Sequence, residues 1–261
     1  MNRNAWNDFT RARESFRQTT EELALSLPEL KKIQQKFADS RGEGKNSAPQ
    51  NGASARGAYI VETPVVFNSA LDSITIDDEI KLILVADNPG RREQAAENRR
   101  YLAGPSGKIA DKFFRDNSAL GIDFRKNVII LNKTPIHSPR TVELRELCRM
   151  YKGSRLSLSE ALEESQKKMA ALLLEFQTAL DCPVWIVGYS EMKKGGLFET
   201  YTGSLNNLYS GNERLLKQIF FYRHFSMNQF TIDLKQQSLP GETAAKTLKR
   251  IGSAYRKRIL G

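Results

Sequence analysis

The stretch KLILVADNPGRREQ, Lys81 to Gln94, constrains the fold more than any other part of the chain. Leu82, Ile83, Leu84, Val85 and Ala86 are apolar without alternation. That pattern suits a strand covered on both faces, as in a parallel sheet, and not a strand with one wet side. Asp87, Asn88, Pro89 and Gly90 then end the run with residues that favour turns. Ligands of open α/β sheets bind beyond the carboxyl ends of the strands, so this turn is expected to form one wall of an active site.

The same order of apolar run and polar stop recurs. Val128 to Leu131 ends in Asn132 and the loop KTPIHSPRT; Val184-Trp185-Ile186-Val187 is closed by Gly188; Gln218 to Tyr222 delivers RHFSMNQF. Helical spacing separates these runs. Ile109, Phe113 and Phe114 follow the tight loop GPSG, Leu144, Leu147 and Met150 mark a short helix, and a long one runs from about Ser157 to Leu180 with Leu162, Met169, Leu172, Leu173 and Phe176 on its apolar side. The tail from Pro240 to Gly261 reads as a basic helix. Strands alternating with helices predict an α/β domain with a mainly parallel sheet.

Ahead of that domain, Trp6, Phe9 and Phe16 recur at helical spacing, as do Leu30, Ile33 and Phe37 after Pro28. These stripes either dock on the main domain or serve as an arm for a partner or DNA. Ser40 to Gly57 offers almost nothing to bury and reads as a flexible linker, which divides the chain into a helical extension over 1–57 and a main domain over 58–261.

Forty lysines and arginines against thirty acids give a net charge of +10, which points to a polyanionic partner or to a solubilising surface. Two cysteines, Cys148 and Cys182, outside any CxxC pair, are too few for a zinc or iron-sulfur site, so no metal and no cofactor is expected and both thiols are read as reduced, in the cytoplasm. No apolar run approaches the length of a membrane span or of a signal-peptide core, so no membrane partner is expected. A Walker phosphate loop ending at Lys108 fails, because Leu102 stands where the first Gly is needed and Ile109 where Ser or Thr is needed. The loop retains the option of offering N–H groups to a phosphate at a helix start.

Taken together, ADNPG, YLAGPSGK, VIILN and RHFS resemble the motifs of the uracil-DNA glycosylase superfamily over roughly Lys81 to Phe230. The resemblance implies a three-layer α/β/α fold around a four-stranded sheet and hydrolysis of the bond between uracil, or a related deaminated base, and deoxyribose in DNA. It is closest to the branches with Asn in the catalytic place, while the four cysteines of the thermostable iron-sulfur branch are missing.

Carried over by position, Asn88 would orient the attacking water, with Asp87 as the other group able to activate it. His224 would donate to the uracil O2 as charge develops there, and Asn132 would pair with the polar edge of the base. Pro89 and Gly90, through the backbone N–H groups around them, would line the same pocket. The stacking phenylalanine of the family falls on Leu102, with Tyr101 as its substitute. Ser226 lies in the histidine loop, and Met227 or Asn228 takes the place of the residue that wedges into the duplex. Each has a plainer reading. Asn88 is ordinary turn chemistry, Asn132 can cap a loop with Asn127 as an alternative register, and either His224 or His137 can be a satisfied structural histidine. Phe225 replaces the family's Pro, and Ala86 its first Gly.

Overall fold

The computed structural model describes residues 1–41, 59–151, 153 and 156–261. The expected linker falls outside the described residues except for its first two positions; Ser40 closes a helix and Arg41 caps it. In chain order the elements are α1 (Arg3–Ser26), α2 (Leu30–Ser40), β1 (Leu82–Ala86), α3 (Pro105–Asp116), β2 (Val128–Asn132), α4 (Glu143–Met150), α5 (Leu158–Leu180), β3 (Val184–Val187), α6 (Glu199–Tyr209), α7 (Glu213–Leu216), β4 (Ile219–Tyr222), α8 (Gln229–Gln237) and α9 (Ala244–Leu260), with single 3₁₀ turns between some of them.

The four strands form one parallel sheet in the order β2-β1-β3-β4, flanked by helices in a three-layer α/β/α arrangement. Every residue of β1, β2 and β3 is buried, which is the physical reason for their unbroken apolar runs: helices cover both faces and leave no side for polar residues. On one face Trp185 stacks with Phe114 at 5.4 Å and Phe230 at 5.8 Å, tying α3 and α8 to β3. α9 seats on β4 at Gly252, where a Cβ would come within 2.6 Å of Phe220 Cβ.

The long α5 starts at a capping box, with the Ser157 hydroxyl accepting from the Glu160 N–H and the Glu160 carboxylate accepting from the Ser157 N–H. α1 packs along α5, with Phe9 edge-on to Phe176 at 5.5 Å, and Phe16 reaches Phe67 at 5.0 Å. Phe9 and Phe16 are wholly buried in the same core that holds the sheet. Burying a phenylalanine contributes roughly 2 to 3 kcal/mol, so the first helix stands in the core of the domain and not as a free arm. No helix among the described residues is long and apolar enough to cross a membrane.

Candidate active site at the carboxyl ends of the strands

Parallel pairing in register brings the strand ends to one edge, with Ala86 opposite Asn132 and Val187 opposite Tyr222. β1 therefore runs into Asp87 and Asn88, β2 into Asn132 and Lys133, β3 into Gly188, and β4 through Arg223 into His224.

Lys133 is the hub. Its side chain is wholly buried, and its Nζ donates to Asp87 Oδ1 at 2.5 Å and to the Val187 carbonyl at 2.6 Å. One ammonium thus joins the ends of β1, β2 and β3. Burial lowers the Lys133 pKa, and the Asp87 carboxylate opposes that drop. The other carboxylate oxygen of Asp87 accepts from Thr141 Oγ1 at 3.4 Å. Gly188 makes room for the pair: it is left-handed at φ 81°, and a Cβ there would sit 2.5 Å from Asp87 Oδ1. A side chain at 188 would be strained in backbone and in space alike.

His224 faces this pair. Its Nδ1 accepts from the Ser226 backbone N–H at 3.0 Å and lies 2.9 Å from the Ser226 hydroxyl, so Nε2 carries the ring proton. Burial lowers its pKa, with Asp87 opposing the shift and Lys133 adding to it. The ring is therefore a neutral donor at pH 7, and its Nε2 has no hydrogen-bond partner among the described residues. Phe225 is the residue that follows the histidine. It is wholly buried, stacked on Phe230 at 4.3 Å, and pins the loop by packing where a proline would stiffen it. Beyond it, Met227 is 82% exposed, and both Met227 (φ 53°) and Asn228 (φ 57°) are left-handed. An apolar side chain is thus held out into solvent on a strained turn.

Asn132 is 1% exposed, and among the described residues neither Oδ1 nor Nδ2 has a hydrogen-bond partner. A buried amide in that condition costs about 1 to 3 kcal/mol, and it stands at the carboxyl end of β2, opposite Ala86, with one acceptor and a pair of donors unused. Asn127, the alternative register, lies at the opposite end of β2, where its side chain closes the turn at Asp123 and bonds the Glu79 carbonyl. Asn88 directs Nδ2 at Ser138 Oγ (2.9 Å) and toward the carbonyls of Pro89 and Ile136, which leaves Oδ1 as its open acceptor.

Three expectations need correction. The Gly90 N–H does not line a pocket: it donates to Glu93 Oε2 at 3.1 Å, and Pro89 has no N–H to offer. Tyr101 offers no stacking platform, because its ring is buried beside Phe16 and its hydroxyl donates to the Val66 carbonyl at 2.6 Å. Leu102 is likewise buried, left-handed at φ 51°, and pressed so close to Gly107 that no Cβ fits between them. His137 has a structural place. It is wholly buried, its Nδ1 donates to the Pro89 carbonyl at 2.8 Å, and its Nε2 accepts from the Tyr59 hydroxyl. Burial holds its pKa down to about 4.

Lys133, Gly188 and Glu93 are the participants that sequence reading passes over. A lysine after a strand normally reads as a solvated end, and nothing local marks this one as buried. Glu93 is enclosed behind the turn, and burial raises its pKa to about 7. Among the described residues no cluster of three or more His, Cys, Asp or Glu side chains is placed to hold a metal ion.

The edge therefore combines a carboxylate held by a buried ammonium, a neutral imidazole donor, a buried amide and an open amide oxygen. Such a set can bind a planar polar ring by its edge, receive negative charge on it, and orient a water. Compared with family models, with curated proteins and with solved structures, the chain finds no match in any of the three.

Proposed function

We propose that this protein is a monofunctional DNA glycosylase that hydrolyses the N-glycosidic bond of uracil or a related deaminated base, as in base excision repair. The observation that carries the reading is the convergence of Asp87, Asn88, Asn132 and His224 on one sheet edge, with the Asn132 amide buried and unpartnered. Uracil would satisfy that amide, accepting at O4 from Nδ2 and donating its N3–H to Oδ1, whereas cytosine presents the reverse pattern and is refused. His224 Nε2–H would donate to O2 as the base leaves with negative charge, a contribution of about 2.7 to 4 kcal/mol. Asn88 Oδ1 would hold the water, with the Asp87 charge favouring the oxocarbenium-like sugar. Met227, on its exposed turn, would fill the gap left by the flipped nucleotide. The net charge of +10 supports a DNA partner. Two free cysteines whose thiols burial pushes up to about 11 and about 12 fit a reducing cytoplasm.

The test is cleavage of labelled single- and double-stranded oligonucleotides carrying uracil, hypoxanthine or xanthine, developed with alkali. Strand breaks that disappear in Asn88→Ala support the reading, and intact substrates throughout reject it. One observation favours a second reading, an inactive nucleic-acid-binding protein of the same fold. Asp87 is already committed to Lys133 and the Asn88 amide nitrogen to Ser138, so both groups next to the water are restrained. That protein would bind DNA in a salt-sensitive way and leave no abasic product.

A further inference from the structure

Away from the strand ends, a hollow of about 160 Å3 opens beside the edge strand β2, walled by Asn68, Asp78, Arg100, Phe124, Arg125 and Lys126 among others. At about 30 Å3 per water it has room for some five waters or one tetrahedral anion. Three of its walls are cationic and one is acidic. The acid is already engaged, since Asp78 Oδ2 accepts from the Thr75 N–H at 2.7 Å and from its hydroxyl at 3.0 Å.

The two arginines are held together against their repulsion. Arg100 is fixed by its neighbours: the Arg99 carbonyl accepts from the Ser69 N–H at 2.8 Å, and the Tyr101 N–H donates to Asn68 Oδ1 at 3.2 Å. Its Nε is buried with no hydrogen-bond partner, and no carboxylate pairs with its guanidinium among the described residues. Arg125 lies over the Phe124 ring at 4.7 Å and donates to the Leu102 carbonyl at 3.3 Å. The Arg125 pKa is lowered by burial and by the charge of Arg100, with Asp111 opposing, and Asp111 is itself paired with Arg115 at 2.6 Å. Two guanidiniums lining one hollow, neither paired with a carboxylate among the described residues, suit an anion held between them.

We infer that this hollow is a binding site for a phosphate group, gripped by Arg100 and Arg125 with Lys126 at the rim. The phosphate is either one of a nucleic-acid backbone, in which case the site extends the proposed function, or that of a free phosphate or monoester, in which case it stands without it.

Thermal unfolding in inorganic phosphate against chloride at matched ionic strength reads the site directly, because a ligand that binds only the folded state raises Tm. The wild type is expected to gain Tm in phosphate; Arg100→Ala should lose that gain while holding or raising Tm in chloride, since a repulsion has gone. Arg125→Gln, at an exposed position, carries the same test should Arg100→Ala fail to fold. The source is read by fluorescence anisotropy of a labelled single-stranded oligonucleotide. Loss of one phosphate contact lowers the slope of log K against log salt by about 0.7. A lowered slope in Arg125→Gln assigns the site to nucleic acid; an unchanged slope, with the phosphate gain in Tm present in the wild type and lost in the variant, assigns it to a free phosphate or monoester. A wild type that responds equally to phosphate and chloride overturns the inference, as does a phosphate gain that survives in both variants.

Discussion

The two histidines of the chain follow β2 and β4, the outer strands of the sheet, and burial favours the neutral form of both, yet they hold opposite positions. His137 has both nitrogens committed, Nδ1 to the Pro89 carbonyl and Nε2 to the Tyr59 hydroxyl, and is wholly buried. His224 has Nδ1 committed to Ser226 and Nε2 without a hydrogen-bond partner among the described residues. Burial lowers the pKa of both. A perturbed histidine is therefore no mark of function by itself; what separates the two is the unfilled valence of the second nitrogen. The clamp behind the turn gives the open site its rigidity, because the Pro89 carbonyl that His137 holds belongs to the residue following Asn88.

This contrast is sharpest in the single substitutions. His224→Ala is expected to cut single-turnover cleavage of uracil DNA by at least about 100-fold with a smaller loss of Tm than His137→Ala, since besides the donor toward the leaving base it removes only the acceptor for the Ser226 N–H. An unchanged rate would remove His224 from the chemistry. His137→Ala should do the reverse in stability, losing about 3 kcal/mol in urea unfolding by emptying a buried site and stranding two polar partners. Should His137→Ala unfold no more easily than the wild type, the clamp is not structural.

The pH dependence separates the clamp from the carboxyl beside it. His137 has a folded pKa of about 4 against about 6.5 unfolded. Its depressed value means that the unfolded chain takes up the proton first, so stability is full above pH 6.5 and is lost as pH falls toward 4. Glu93 runs the other way: its folded pKa is raised to about 7, so the stability it contributes is present below about 4.5 and is lost as pH rises through 7. Between those limits the two slopes oppose each other. Glu93→Gln should raise stability at pH 8 by roughly 1 to 3 kcal/mol and expose the histidine slope alone; a pH profile identical to the wild type would reject this account of the carboxyl. The smallest effect is expected from Asn132→Leu, which removes a buried unpartnered amide. It should stabilise the fold by about 1 kcal/mol, measured in urea, while abolishing discrimination between uracil and cytosine. Destabilisation instead would mean that the amide has a partner in the folded protein.

Much of the frame was legible along the chain because it follows from local rules. Unbroken apolar runs at Leu82, Val128, Val184 and Ile219 mark strands buried on both faces, and Phe9 and Phe16 at helical spacing announce a helix with one face to bury. The candidate positions Asp87, Asn88, Asn132 and His224 were legible for a related reason: a polar residue that ends a buried strand of a parallel sheet must lie at its carboxyl edge. Matching by position misled where it was asked for contacts. Tyr101 and Leu102 take pocket places only through the resemblance, and the packing of α1 and Gly107 against them turns both into core.

From the sequence alone, then, came the fold class, the strand ends and the chemical types gathered there, because periodicity and turn residues act within a few positions of themselves. Tertiary structure alone decided that Lys133 is buried and holds Asp87, that Gly188 must lack a side chain to admit that carboxylate, that both nitrogens of His137 are engaged, and that Arg100 and Arg125 line one hollow. Each of these is a juxtaposition of residues separated by tens of positions along the chain, and burial and charge pairing are set by such juxtapositions.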